Sequence, residues 1–254
     1  MSTSNLDSTI KSQDIWNNYY TTIEEGAVGC LYPNEPLVRI VSTVRKGIKF
    51  NSEQFFSDQG KENSNRNNFS GECLEIGFGH VSNLLMMNEK GFNCTGLEVS
   101  MEAVKRGESR LKGFKNIKLQ FWEDLGKLPF NDNQFDFIYG LECIYYNVDL
   151  CNIISEIRRC LKPNGYFAFS FFSNDHDYHK FIDVMSEEKL YNVVKWSDNH
   201  PSHRIRGAIL SQPKSKEALI QLFENFGEKR IFTEESDFSP TFNSWWYIYG
   251  SNQK

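Results

Sequence analysis

Over residues 71–172 short apolar runs alternate with stretches whose apolar positions recur at helical spacing. The runs CLEIGFG, FNCTGLEV, IKLQF, QFDFIYG and YFAFSFF are predicted as strands, and VSNLLMMNEKG, MEAVKRGESRLKG and DLCNIISEIRRCLKPNG as the helices among them. In the last helix Leu150, Ile153, Ile154, Ile157 and Leu161 form one stripe, and Pro163 with Gly165 ends it. Near-continuous apolar strands in alternation with helices predict a mostly parallel sheet covered on both faces, not a bundle or a sandwich.

The flanks carry weaker patterns. Trp16, Tyr19 and Tyr20 share a helical face, and Leu37, Ile40, Val41 and Val44 form a second stripe that closes near Gly47. Gln59 to Ser70 is rich in Asn, Ser, Gly and charge and reads as a surface connection. Toward the end, SKEALIQLFENFG predicts a helix with Ser215 as N-cap, followed by strands around EKRIFTE and SWWYIYG. Residues 174–208 fit no regular unit of the sheet and are expected to lie as an insertion above the carboxyl ends of the strands. The organisation expected is a flexible start over 1–12, a helical cap and connection over 13–70, and one domain over 71–254 containing the 174–208 insertion.

Composition narrows the function. With 254 residues, 39% hydrophobic and 15% aromatic, the chain can bury a sizeable core. Lys plus Arg number 28 against 33 Asp plus Glu, a net charge of -5, so no basic field exists for general nucleic-acid binding. Cys30, Cys73, Cys94, Cys143, Cys151 and Cys160 contain no C-x-x-C pair and are expected to be buried free thiols, with no zinc site or disulfide frame. The opening MSTSNLDSTIKSQ has no apolar core and no run approaches a membrane span, so a soluble, cytoplasmic protein is expected.

The sharpest local signal is Glu75-Ile76-Gly77-Phe78-Gly79-His80 at the end of the first strand. Glycines there permit a tight turn and let a ligand approach the backbone. Glu98 ends the next strand about twenty residues beyond the glycines, the place of an acid that accepts from ribose hydroxyls. Asp124 follows the third strand, where a carboxylate can accept from an adenine amine. A dinucleotide would want the full G-x-G-x-x-G/A fingerprint, and this chain has Ser82 at its last position. That size alone leaves NAD or FAD open on the first loop.

Taken together, LEIGFGH, GLEVS, EDLGKLPFNDNQFDFIYG and ISEIRRCLKPNGYFAFSFF resemble, in order and spacing, the class I S-adenosylmethionine-dependent methyltransferases, in particular the small-molecule group with an "LPF…FD" signature. The resemblance is strong over residues 71–172. It implies an α/β fold, a Rossmann-like seven-stranded, mostly parallel sheet with helices on both faces and an antiparallel C-terminal strand. It implies S-adenosylmethionine as cofactor, with Glu75, Gly77, Phe78 and Gly79 around its methionine part, Glu98 on the ribose, and Val99, Asp124 and Leu125 on the adenine. Gly140 opens the loop expected beside the methyl group, and Tyr20, with Trp16 and Tyr19, is expected as a lid. Val81 stands where the family often has a third glycine, and His80 where it often has a small residue. A loop narrowed in this way leaves a catalytically silent cofactor-binding scaffold for a partner protein as an alternative.

Methyl transfer from a sulfonium is an in-line displacement that needs a base only when the acceptor is protonated. Within Gly140-Leu141-Glu142-Cys143-Ile144-Tyr145-Tyr146, Glu142 is the candidate to orient or deprotonate the acceptor, and Tyr145 and Tyr146 are candidates to wall its pocket. The acceptor expected is a small molecule with an oxygen or nitrogen nucleophile, a protein substrate being the other open reading. No nucleic-acid or membrane partner is expected, and the protein is expected to be a monomer or homodimer.

Overall fold

A computed structural model describes residues 3–23, 32–44, 71–123, 125–236 and 242–253. Helices α1 (Thr3–Thr22) and α2 (Glu35–Val44) precede a doubly wound unit. That unit runs β1 (Glu72–Ile76), α3 (Ser82–Glu89), β2 (Asn93–Glu98), α4 (Met101–Arg110), β3 (Ile117–Phe121) and β4 (Phe135–Gly140), then α5 (Leu150–Cys160) and β5 (Leu161–Phe172). After it come β6 (Ile182–Glu187), β7 (Tyr191–Trp196), β8 (Ile209–Pro213), α6 (Lys216–Leu222), β9 (Lys229–Ser236) and β10 (Asn243–Ser251). The main sheet has seven strands in the order β3-β2-β1-β4-β5-β10-β9. Strands β1 to β5 pair in parallel, and β10 runs antiparallel to both neighbours.

Burial divides along the two sheet faces. On one side the α5 stripe Leu150, Ile153, Ile154 and Ile157 and α6 residues Leu219 and Leu222 pack on Phe167, Phe169 and Phe171. On the other, Leu37, Ile40 and Val41 of α2, Leu84 and Met87 of α3 and Val104 of α4 cover Cys73, Phe137, Tyr139 and Ala168. Each fully buried aliphatic side chain contributes about 1.5–3 kcal/mol, so the α5 stripe alone anchors that layer. Local signals set the helix starts: the side chains of Ser100, Asp149 and Ser215 accept from the amides of Ala103, Asn152 and Ala218.

Three features differ from the sequence reading. Helix α1 reaches back to Thr3, through most of the 1–12 stretch expected to be flexible, where no apolar stripe exists for periodicity to mark. Helix α5 stops at Cys160, and Leu161 opens β5 opposite Phe135 instead of closing the helical stripe. Residues 174–208, which stand outside the main sheet, carry strands that the sequence reading did not assign: β6 and β7, joined by β8, form a separate antiparallel sheet in the order β6-β7-β8. Strand β6 is nearly all exposed, so it shows none of the alternation by which a half-buried strand is recognised. The connection at Gln59 to Ser70 lies outside the described residues.

The chain's end is latched onto the α5–β5 junction. The Asn252 side-chain amide donates to the carbonyls of Arg158, Leu161 and Lys162 at 3.4, 3.1 and 3.2 Å. Its backbone exchanges hydrogen bonds with Gly165 and Asn164. An Asn252→Ala variant, which keeps the backbone pair and strips the side-chain donors, is expected to lose about 2 kcal/mol. Thermal unfolding checks this, with a midpoint lower by about 4–8 °C.

Candidate functional site

Strand order reverses between β1 and β4, which opens a crevice beyond the carboxyl ends of the strands. The chain leaves β1 through Gly77 at φ +71° and Gly79 at φ +49°. A Cβ on Gly77 would lie 2.5 Å from Cys143 Cβ, and one on Gly79 would lie 2.8 Å from the Tyr20 hydroxyl. Both positions therefore combine left-handed backbone with close approach, which only glycine meets without strain. Val81 also sits in the left-handed region, at φ +63°, and its side chain is buried against the space over Gly107. The turn keeps the conformation a third glycine would take, and core packing compensates the strain of a β-branched residue there.

Glu98 closes this turn from β2. Its Oε2 accepts from the Gly79 amide at 3.2 Å, and its Oε1 from the amides of Val99 and Ser100 at 2.8 and 3.2 Å. Burial lifts its carboxyl above the ordinary range, and the three amides oppose that lift. Helix α1 lies across the opening: Ser12, Trp16 and Tyr20, spaced four apart, face the cavity on one helical side. Asn17 docks the helix by accepting from the Ser100 hydroxyl at 3.0 Å, and Gln13 donates to the carbonyls of Trp122 and Glu123.

The loop after β4 forms the opposite wall. Cys143 Sγ donates to the Ile76 carbonyl at 2.7 Å, and the Glu142 amide donates to Ser170 Oγ at 2.7 Å. Glu142 stands at φ +58°, and its solvent-exposed side chain lines the open cavity. Partial desolvation by the surrounding protein raises its carboxyl above the ordinary range, and repulsion from Glu234 adds to the shift. The short 3-10 turn Ile144–Tyr146 leaves its two tyrosine rings in contact at 4.7 Å, with one of them reaching the cavity. Tyr146 faces the cavity with Trp16 edge-on at 4.9 Å. Tyr145 points into the core against Phe172 at 4.7 Å.

The cavity holds about 570 Å³ including its open mouth. Of the residues expected at the site, Tyr20, Gly77, Glu98, Val99, Leu125, Glu142 and Tyr146 line it. Tyr145 does not, nor do Phe78, Gly79, Gly140 and Glu75. Phe78 fills the core over Gly96 and Gly107, while Gly79 and Gly140 act from behind by admitting Tyr20 and Cys143. Asp124 lies outside the described residues. Sequence reasoning missed Ser12, Trp122 and Asn147, and named Ile76, Cys143 and Ile144 only as members of the turn and of the 140–146 loop, with no role at the site. Asn147 had no motif to mark it, yet its side chain donates to the Leu125 carbonyl at 2.7 Å and holds that loop at the cavity.

The LPF segment has a mechanical role. Arg159 on α5 donates to the carbonyls of Leu128 and Phe130 at 3.1 and 2.8 Å, and Glu156 accepts from the Leu128 amide at 3.0 Å. The two side chains also pair with each other at 2.7 Å, so α5 holds the loop that delivers Leu125. Among the described residues no group of His, Cys, Asp or Glu is arranged to hold a metal ion, and no helix is long and apolar enough to cross a membrane. His176 in the inserted segment is a core histidine: Nδ1 accepts from the Tyr178 amide, and burial among aromatic rings pushes it down to about 4.

Glu75 is buried beneath the turn, accepting from Asn83 Nδ2 at 2.8 Å and the Tyr139 hydroxyl at 3.3 Å. Desolvation outweighs both hydrogen bonds and pushes its carboxyl up to about 8. A carboxyl raised on folding favours the native state fully below its unfolded pKa, and that stability is lost as pH rises through the folded value. Stability should therefore decline between about pH 4.5 and 8, and a Glu75→Gln variant should flatten the decline. Urea denaturation across that range measures it; an unchanged slope in the variant would remove Glu75 as the cause.

Similarity to known proteins agrees with this geometry. A family model described as a methyltransferase domain matches residues 74–169. The chain is 26% identical over 161 residues to a sterol 4-C-methyltransferase of Caenorhabditis elegans, covering 61% of this chain and 47% of that protein. It is 38% identical over 73 residues to a demethylmenaquinone methyltransferase of Staphylococcus carnosus, covering 28% of this chain and 29% of that one. The match thus spans less than half the length of either curated relative. Among solved structures, a putative sarcosine dimethylglycine methyltransferase from Galdieria sulphuraria superposes with a TM-score of 0.53 at 15% identity, covering 98% of this chain and 99% of that one. A putative S-adenosylmethionine-dependent methyltransferase from Listeria monocytogenes gives 0.55 at 13% identity, covering 72% and 92%. At such identities the structural likeness concerns the fold alone. The match to a methyltransferase domain over 74–169 thus falls on the strands β1 to β5 and on the glycine turn that open the crevice.

Proposed function

We propose that the protein transfers the methyl group of S-adenosylmethionine to a small-molecule acceptor through an oxygen or nitrogen nucleophile. The observation that carries this is the charge of the cavity wall: Glu98 and Glu142 line it together with the rings of Trp16, Tyr20, Trp122 and Tyr146, and among the described residues no lysine or arginine does. Such a wall suits a sulfonium cation and an adenosine, and it opposes the pyrophosphate of NAD or FAD. Glu98 retains capacity for a ligand. Its carboxylate offers about four lone-pair sites, and three backbone amides occupy three of them. Val81 and His80, the residues that favour a silent scaffold in the sequence, do not line the cavity.

Within this reading Glu98 takes a ribose hydroxyl, Val99 and Leu125 flank the adenine, and Gly77 lets the methionine part lie against the backbone. Trp16 and Tyr20 exclude water from the reacting centre. When bound, S-adenosylmethionine supplies an electrophilic methyl carbon whose bond to sulfur breaks as the bond to the acceptor forms, leaving a neutral thioether. Glu142 orients the nucleophile and takes its proton. The acceptor of the curated relatives is not carried over, because residues 174–213, which follow β5, lie outside the region that the methyltransferase-domain family matches. The reading includes a cytoplasmic monomer or homodimer without nucleic-acid or membrane partners, in keeping with the net charge of -5.

Calorimetric titration with S-adenosylmethionine and S-adenosylhomocysteine tests the cofactor; folded protein that binds neither at millimolar ligand refutes it. The base is tested separately. Glu142→Gln should lower kcat by about 10²–10⁴ with S-adenosylhomocysteine affinity nearly unchanged. A carboxylate base works only when ionised, so wild-type kcat should fall as pH drops through the raised Glu142 pKa, at a higher pH than an ordinary carboxylate gives. A pH–rate profile that keeps this limb in Glu142→Gln would assign the limb elsewhere.

A further inference from the structure

Arg204 lies in the loop between β7 and β8 and reaches over the carboxyl end of α1. Its guanidinium can donate five hydrogen bonds. Nη2 meets the Thr22 carbonyl at 3.5 Å, the outer limit of a hydrogen bond, and Nε is buried with no partner. The neighbouring arginines are engaged otherwise. Arg206 donates from Nε to the His200 carbonyl at 2.8 Å, and Arg106 pairs with Glu102 at 3.1 Å and donates to the Ile23 carbonyl.

The place of Arg204 matters as much as its unused donors. Thr22 lies one turn beyond Tyr19 on the same side of α1. The Tyr19 ring stands edge-on to both Trp16 and Tyr20 at 5.3 Å, and those two line the cavity. The Tyr19 phenol feels the positive charge of Arg204 and the negative charge of Glu142 together. Arg204 thus sits at the carboxyl end of α1, the helix whose Trp16 and Tyr20 line the cavity, and Glu142 lines that cavity from the loop after β4. An acceptor that answers this arrangement has an anionic end and a protic, nucleophilic end.

We infer that Arg204 anchors an oxyanion of the methyl acceptor, so that the acceptor is a compact molecule with a carboxylate or phosphate at one end and an amine or hydroxyl at the other. This rests on the methyl-transfer reading above and names the acceptor class of that same site. Fork geometry suits Arg204 to two parallel hydrogen bonds on either oxyanion. Residues 197–208 hold it there, and they lie outside the region shared with the methyltransferase-domain family.

The test uses the Arg204 Nε–H resonance of ¹⁵N-labelled full-length protein, assigned by its loss in Arg204→Lys. On protein saturated with S-adenosylhomocysteine, sodium acetate or inorganic phosphate should shift that resonance saturably, and the stronger of the two names the oxyanion. A shift no larger than sodium chloride gives at matched ionic strength overturns the proposal. Turnover supplies the second arm, with acceptors offered in pairs: amino acids against their amides, and phosphoethanolamine against ethanolamine. The charged member should be methylated preferentially. Arg204→Ala should raise its KM roughly ten- to a hundredfold, with Arg204→Lys recovering part and S-adenosylhomocysteine affinity unchanged. A merely structural contact with the end of α1 would instead weaken S-adenosylhomocysteine binding and leave the KM ratio of each pair as in wild type, and that result also overturns the proposal. If calorimetry shows no S-adenosylhomocysteine binding, the cofactor reading fails on its own, and the anion titration on free protein still decides Arg204.

Discussion

Gly77→Ala is expected to weaken the binding of S-adenosylhomocysteine roughly a hundredfold while the protein remains folded. At φ +71° any residue with a Cβ costs about 1–2 kcal/mol. The larger effect is steric. The new Cβ would lie 2.5 Å from Cys143 Cβ and 3.0 Å from its Sγ. Cys143 cannot swing away as a surface side chain would, because the clash is with the carbon attached to its backbone and its sulfur is tied to the Ile76 carbonyl at 2.7 Å. The turn carrying Glu142 must therefore move away from β1, and both sides of that seam line the cavity. A displacement of about 1 Å at such a site costs roughly a hundredfold. Calorimetry reads the loss, and a thermal melt shows that the chain still folds. Cys143→Ala should not rescue the variant, since alanine keeps the Cβ, whereas Cys143→Gly should recover part of the affinity. Wild-type binding by Gly77→Ala would remove the glycine turn from the site.

Glu98→Ala carries the second large effect, on affinity and stability together. The substitution leaves the amides of Gly79, Val99 and Ser100 without their acceptor. It also removes the lone-pair site left for a ribose hydroxyl. A hydrogen bond to a charged group contributes about 1.5–3 kcal/mol, so affinity for S-adenosylhomocysteine should fall roughly 10- to 150-fold. Stability should fall by about 2–3 kcal/mol from the stranded amides, measurable by urea denaturation. Glu98→Gln separates shape from charge, because its NH₂ must face at least one amide that needs an acceptor. Burial raises the Glu98 carboxyl, so ligand affinity should decline as pH falls through a value above the ordinary carboxylate range. Affinity that is flat in pH and intact in both variants would show that the ligand does not depend on Glu98.

Those two residues were legible before any fold was known because their signals are local. A glycine pair after an apolar run requires unusual backbone, and an acid at the end of the next strand follows at a spacing that one βαβ unit dictates. The α5 stripe and the caps Ser100, Asp149 and Ser215 are likewise written within a few residues. Residues whose role depends on distant partners were not legible in this way. Trp16 and Tyr20 were visible as an aromatic face, but Ser12 on the same face was not, since a serine in a polar stretch carries no periodic signal. Tyr145 and Tyr146 are neighbours in sequence, and only the tight turn between β4 and α5 sends one to the core and the other to the cavity.

By itself the sequence determined the layered α/β architecture and the unusual backbone of the glycine turn, because hydrophobic period and turn residues act over short distances. Tertiary structure decided which groups meet. It set Cys143 against Gly77, Arg159 against the LPF carbonyls and Asn147 against Leu125, each across more than twenty residues of chain. It also turned residues 182–213 into a second sheet, although β6 is exposed on both faces. The exposed strand is held by backbone pairing to β7, and a hydrogen-bond ladder depends on the partner's position more than on side-chain pattern. The placement of Arg204 depends on such long-range pairing, whereas the glycine turn after β1 is built from contiguous residues.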